Sequence, residues 1–66
     1  MNVRINGKSH DVEPGATIAR TLEALDIRVD FAAVALNRTF VPKSRIAETR
    51  LEPGDELEVL VPHQGG

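Results

Sequence analysis

Phe31-Ala32-Ala33-Val34-Ala35-Leu36 is an unbroken run of six apolar residues, and whether it is helix or strand sets the architecture of everything around it. Alanine content alone permits a helix. A strand agrees better with the next residues, because Asn37-Arg38 supplies a turn and Thr39-Phe40-Val41 a short β-prone partner that stops at Pro42. A run of this length without alternation reads as a strand buried on both sides, or at the centre of a sheet.

Toward the N-terminus, Val3 and Ile5 alternate with Asn2, Arg4 and Asn6, the period of a strand with one buried face. Asn6-Gly7 suits a two-residue hairpin turn because both positions tolerate positive φ, so Lys8 to Glu13 should return antiparallel. Val12 is the inward residue there. His10 shares its face by parity and reads as structural or partly exposed. Pro14-Gly15 breaks that strand, Thr17 is placed to cap a helix, and Ile18, Leu22 and Leu25 succeed it at helical spacing. Arg20 and Glu23 fall off this stripe, on a solvated face. The helix should end near Asp26, with Arg28 to Asp30 as connection.

Toward the C-terminus, Ser44 is placed to cap one helical turn through Glu48, burying Ile46. Glu52-Pro53-Gly54-Asp55 has the Pro-Gly centre of a type II turn. The strand Glu56-Leu57-Glu58-Val59-Leu60-Val61 then points Leu57, Val59 and Val61 one way and Glu56, Glu58 and Leu60 the other. The order strand, strand, helix, strand, strand, strand describes an α+β domain with one main helix on one face of a mixed sheet of four to five strands. Leu60 breaks the solvent-facing pattern. With Phe40 it can form a docking patch, although a lone exposed leucine ordinarily means nothing.

Pro62 cannot donate to a sheet ladder and biases Val61 toward extended backbone, so the chain should leave the body there as a flexible tail, Pro62-His63-Gln64-Gly65-Gly66. Extended, that tail reaches roughly 16 to 18 Å, enough to carry a terminal carboxylate into another protein's active site. Gly65 and Gly66 lack a Cβ and can pass a narrow channel. Two terminal glycines are also what an unselected, frayed end looks like.

Composition narrows the function classes. The 66 residues make one small domain, body 1–61 and tail 62–66. There is no cysteine, which excludes disulfides, thiolate metal sites and a cysteine nucleophile and suits a reducing cytosol. No apolar run approaches a membrane span, and residues 1–6 alternate instead of forming a signal-peptide core. Ten acidic against eight basic residues, with two phenylalanines as the only aromatics, argue against a nucleic-acid surface. Gly7-Lys8-Ser9 has the end of a phosphate loop without its upstream glycine. His10 and His63 are too few and too far apart for a metal site, and no Ser-His-acid arrangement can be assembled. His63 reads as solvated, with partner contact as the other possibility. Glu48, Glu52, Asp55, Glu56 and Glu58 gather toward the tail, where steering toward basic partners and plain solubility explain them equally.

Ile5-Asn6-Gly7, Gly15-Ala16-Thr17-Ile18, Val34-Ala35-Leu36-Asn37, Val41-Pro42, Pro53-Gly54-Asp55 with Glu58-Val59, and the ending Gln64-Gly65-Gly66 together resemble the ThiS family, ubiquitin-like sulfur carriers of the β-grasp fold. Each motif is weak alone; their order, spacing and the chain length are specific together, over essentially the whole chain. The resemblance implies a cytoplasmic cosubstrate without an active site or cofactor of its own. Its Gly66 carboxylate would be adenylated by a ThiF-like adenylyltransferase using ATP, then converted to a thiocarboxylate with sulfur from a donor such as a cysteine desulfurase system. A ThiG-like thiazole synthase would take that sulfur for the thiazole of thiamine. Gly65 and Gln64 would lead into the partner's site, and His63 and the Leu60 and Phe40 patch read from strand parity are the candidates for partner contact. Related carriers serve molybdopterin, transfer-RNA thiolation or cysteine synthesis, and an inert-tailed β-grasp interaction module would look similar.

Overall fold

Two asparagine-led turns set the strand pairs. Asn6 (φ 51°) and Gly7 (φ 82°) both lie in the left-handed region, the turn geometry whose twist matches antiparallel strands, and join β1 (Asn2–Ile5) to β2 (Lys8–Asp11). Asn37 (φ 50°) and Arg38 (φ 69°) repeat the device between β3 (Ala33–Leu36) and β4 (Thr39–Val41). The computed structural model describes residues 1–61. Expectations for Pro62, His63, Gln64, Gly65 and Gly66 therefore lie outside the described residues.

Between the hairpins runs α1 (Ile18–Ala24). Thr17 is extended (ψ 164°), and its hydroxyl accepts the Arg20 N–H at 3.2 Å, which satisfies one of the free donors of the first turn. Asp26 (φ 61°) turns the chain out of the helix. Ile18 and Leu22 are completely buried in one cluster with Val3, Ile5, Val34, Leu57 and Val59 of the sheet. The segment after α2 (Lys43–Ile46) holds the helix start: Ile18 N–H donates to Thr49 O at 2.9 Å and Leu51 N–H to Ala16 O at 2.8 Å. Ile46, as expected, is buried.

The Pro53-Gly54 turn, with Gly54 at φ 84°, then launches β5 (Glu56–Leu60) into the middle of the sheet. The strand order is β2-β1-β5-β3-β4, with β5 parallel to β1 and antiparallel to β3. This is the β-grasp arrangement: one main helix lies across a mixed five-stranded sheet whose central strand is the last one.

Four expectations are corrected. Phe31 and Ala32 are outside the strand, because Val29–Phe31 forms a 3-10 turn that brings the chain round from α1, and Phe31 is exposed. The apolar run is not buried on both sides: only Val34 and Ala32 are buried, since α1 covers one face of the sheet and small alanines line the other. Ser44 is not the cap of α2. Pro42 holds that position (φ −60°, ψ 150°) without a side-chain bond, its carbonyl accepting the Arg45 N–H at 2.8 Å, so Ser44 sits inside the turn. Val61 does not continue the inward series of Leu57 and Val59 but is exposed, because β5 ends at Leu60, opposite the first residue of β3.

Candidate functional site

Alternation along the strands places the larger consequences on the uncovered face. With Val3, Ile5, Val34, Val41, Leu57 and Val59 turned toward α1, their neighbours Arg4, Ala33, Ala35, Phe40, Glu56, Glu58 and Leu60 must point away. The registers align them in rows. Phe40, Ala35 and Glu58 lie side by side across β4, β3 and β5, and Ala33 lies beside Leu60.

Phe40 is 67% exposed and Leu60 75%. They flank the two alanines, whose short side chains leave a shallow depression lined also by Glu58 and Asn6. The structure thus brings the two residues singled out in the sequence onto one apolar corner. Glu58 supplies a carboxylate at its edge. A more polar hollow adjoins it, lined by Arg4, Arg38, Glu56 and Glu58. Two large apolar side chains left in water on one corner make it a candidate docking surface.

The corner ends where β5 ends. Leu60 is its last strand residue, Val61 is next, and His63, Gln64, Gly65 and Gly66 come after it in sequence, outside the described residues. Any protein seated on Phe40 and Leu60 therefore lies next to the point from which the C-terminal residues depart.

The acidic residues do not act as one cluster. Asp55 is committed to local structure, accepting the Glu52 N–H at 2.8 Å and the Asn37 side-chain amide at 3.1 Å, and Glu48 faces Arg45 at 3.5 Å. Glu56 and Glu58 remain on the open face. His10 is half-buried beside Val3 on the helix side of the sheet. Among the described residues, no group of three His, Cys, Asp or Glu side chains is placed to hold a metal ion. Another depression lies between the β2–α1 connection and α1, around Asp11, Glu13, Thr17 and Arg20, on the helix side and away from the open face.

Sequence reasoning missed two side chains. Asn6 and Asn37 were legible as turn formers, yet each also bonds to β5: Asn37 Oδ1 accepts the Glu56 N–H at 3.0 Å, and the Asn6 amide makes two bonds to the Val59 backbone. Nothing in the local sequence distinguishes an asparagine that only turns from one that also holds β5, 53 residues on for Asn6 and 19 for Asn37.

Known proteins share this fold and part of the sequence behind it. A sequence model of the ThiS family matches residues 3–66. The sulfur carrier protein ThiS of Escherichia coli strain K12 is 30% identical over 66 residues, covering 100% of both chains. The crystal structure of the thiamine biosynthesis protein ThiS from Geobacter metallireducens matches with a TM-score of 0.84 at 28% identity, again over 100% of both chains. A solution structure of a thiamine biosynthesis protein from the same organism gives a TM-score of 0.82 at 28% identity, covering 100% of this chain and 88% of that one.

Proposed function

The chain belongs to the ThiS family, and from that premise we propose that it is a sulfur carrier whose working group is the C-terminal carboxylate of Gly66. The observation that carries this reading is the placement of the exposed Phe40–Leu60 corner at the end of β5, the strand that leads directly to Gly65 and Gly66. A body that docks by this corner delivers the C-terminus to whatever site lies beyond it, and the glycines suit a narrow approach.

A carboxylate is a poor acylating agent, so it must first acquire a leaving group. A ThiF-like adenylyltransferase supplies it: a Gly66 carboxylate oxygen attacks the α-phosphorus of ATP, and pyrophosphate leaves. Hydrosulfide, released when a thiol reductant cleaves the persulfide of a donor such as a cysteine desulfurase system and is itself oxidised to a disulfide, then attacks the acyl carbon. The C–O bond breaks, AMP departs with its electron pair, and loss of the S–H proton leaves the thiocarboxylate. Splitting one difficult substitution into two easier ones is the logic of activated acyl intermediates. The thiocarboxylate then acts as sulfur donor to a ThiG-like thiazole synthase in thiamine biosynthesis. In this scheme the chain is a cosubstrate and the catalytic groups belong to its partners. Phe40 and Leu60 bear on the adenylyltransferase, while Gly65, Gln64 and His63 pass toward its active site.

The test is intact mass after incubation with the adenylyltransferase, MgATP and sulfide. The expected result is a mass gain equal to sulfur minus oxygen, located on the C-terminal fragment and absent when Gly66 is deleted. No gain, with no AMP adduct trapped, refutes the carrier reading in favour of an interaction module with an inert end. A thiocarboxylate that a thiazole synthase does not consume leaves the carrier chemistry in place and moves the acceptor to another pathway, such as molybdopterin, transfer-RNA thiolation or cysteine synthesis.

A further inference from the structure

Resting on the carrier reading, we propose that Asn6 is a positioning residue for the C-terminal acyl group, its side chain acting as a one-residue strand that holds the end of β5. The reason lies in where β1 stops. Its backbone pairs with β5 through Arg4 N–H to Asp55 O and Asn6 N–H to Leu57 O, both 2.9 Å. At Asn6 the chain then turns away toward β2, with φ at 51°. The next peptide groups of β5 facing that side belong to Val59, and no backbone of β1 remains to meet them.

The Asn6 carboxamide meets both. Its Nδ2 donates to Val59 O at 3.1 Å, and its Oδ1 accepts the Val59 N–H at 2.8 Å. A side-chain amide carries one donor and one acceptor side by side, as a peptide group does, so it extends the ladder where the main chain has left. Across β5, Val59 is aligned with Val34 of β3. The clamp therefore takes up both peptide groups of Val59 on the β1 side, immediately before Leu60 of the docking corner.

The turn itself does not require this residue. Glycine and aspartate also accept positive φ, but glycine has no side chain and aspartate lacks the donor and brings a carboxylate toward Val59 O. Without the clamp, the end of β5 is held by β3 alone. Leu60 and the end of the described strand then lose their fixed relation to the body, so a docked carrier offers its C-terminus to the partner's active site less productively. Misplacing a reacting group by about 1 Å can cost about 100-fold in rate.

The experiment compares wild type, Asn6→Gly and Asn6→Asp by amide hydrogen exchange and by carrier-dependent AMP release with the adenylyltransferase, MgATP and sulfide. For Asn6→Gly, exchange at the Val59 amide should accelerate about tenfold or more, the loss of roughly one hydrogen bond's protection, while Val3 and Ile5 keep theirs. The kcat should fall about tenfold or more, by a larger factor than any rise in KM for the carrier: Asn6 lines the edge of the docking depression, but Phe40 and Leu60 keep their side chains. Asn6→Asp, which keeps the acceptor for Val59 N–H, should fall between the two. An unchanged Val59 amide in Asn6→Gly, or an unchanged kcat, overturns the proposal. An effect confined to KM also overturns it, making Asn6 a direct contact of the partner. Wild type that never acquires a thiocarboxylate overturns the carrier reading and the transfer role with it, whereas Val59 exchange separately reports whether the clamp holds β5.

Discussion

Replacing Phe40 and Leu60 together by threonine should separate docking from folding. Both residues sit on strands, so threonine retains β propensity while removing most of the apolar surface. Full burial of such a side chain is worth about 1.5–3 kcal/mol. With 67% of Phe40 and 75% of Leu60 open to water, a partner covering them gains about 1–2 kcal/mol from each, or about 2–4 kcal/mol together. That corresponds to about 30- to 900-fold in Kd, and threonine's residual methyl places the expectation near the lower end. The free protein should hardly notice, its urea midpoint moving by the equivalent of less than about 1 kcal/mol, as for exposed positions generally. The assay is KM for the carrier in adenylyltransferase-dependent AMP release with MgATP and sulfide, alongside urea unfolding of the same samples. A KM within about threefold of wild type, in a double variant shown to be folded, refutes the assignment of this corner to docking. A large loss of stability would refute the premise that these side chains are unneeded by the fold.

Two further outcomes test the body that carries the corner. Leu22→Ala removes a side chain with no exposure from the helix–sheet core and should cost about 2–5 kcal/mol, most of what a domain this small possesses, so circular dichroism at 25 °C should show a largely unfolded population. Thr17→Ala deletes the hydroxyl that accepts the Arg20 N–H and should lower stability by about 1 kcal/mol, read as a shift in the urea midpoint with the slope unchanged.

Much of this molecule is local chemistry. The Asn6-Gly7, Asn37-Arg38 and Pro53-Gly54 turns, the Thr17 cap, the buried Ile18 and Leu22, and the inward Val3, Ile5, Leu57 and Val59 come from the φ preferences and hydrophobic period of a few adjacent residues. Alternation also turned Leu60 outward before any partner strand was known. Where local reading failed, a neighbour distant in sequence was responsible. Phe31 left the strand because the chain returning from α1 needed a 3-10 turn, and the alanines of β3 face water because one helix covers only one side. The placing of Phe40 and Leu60 on one corner depends on β3 lying between their strands with Ala33 and Ala35 in register. Above all, residue order says that Asn6 can turn but not that its amide completes a strand ending at Leu60. That bond exists because β5 inserts beside β1 just where β1 runs out, and only pairing across the whole length of the chain brings the two together.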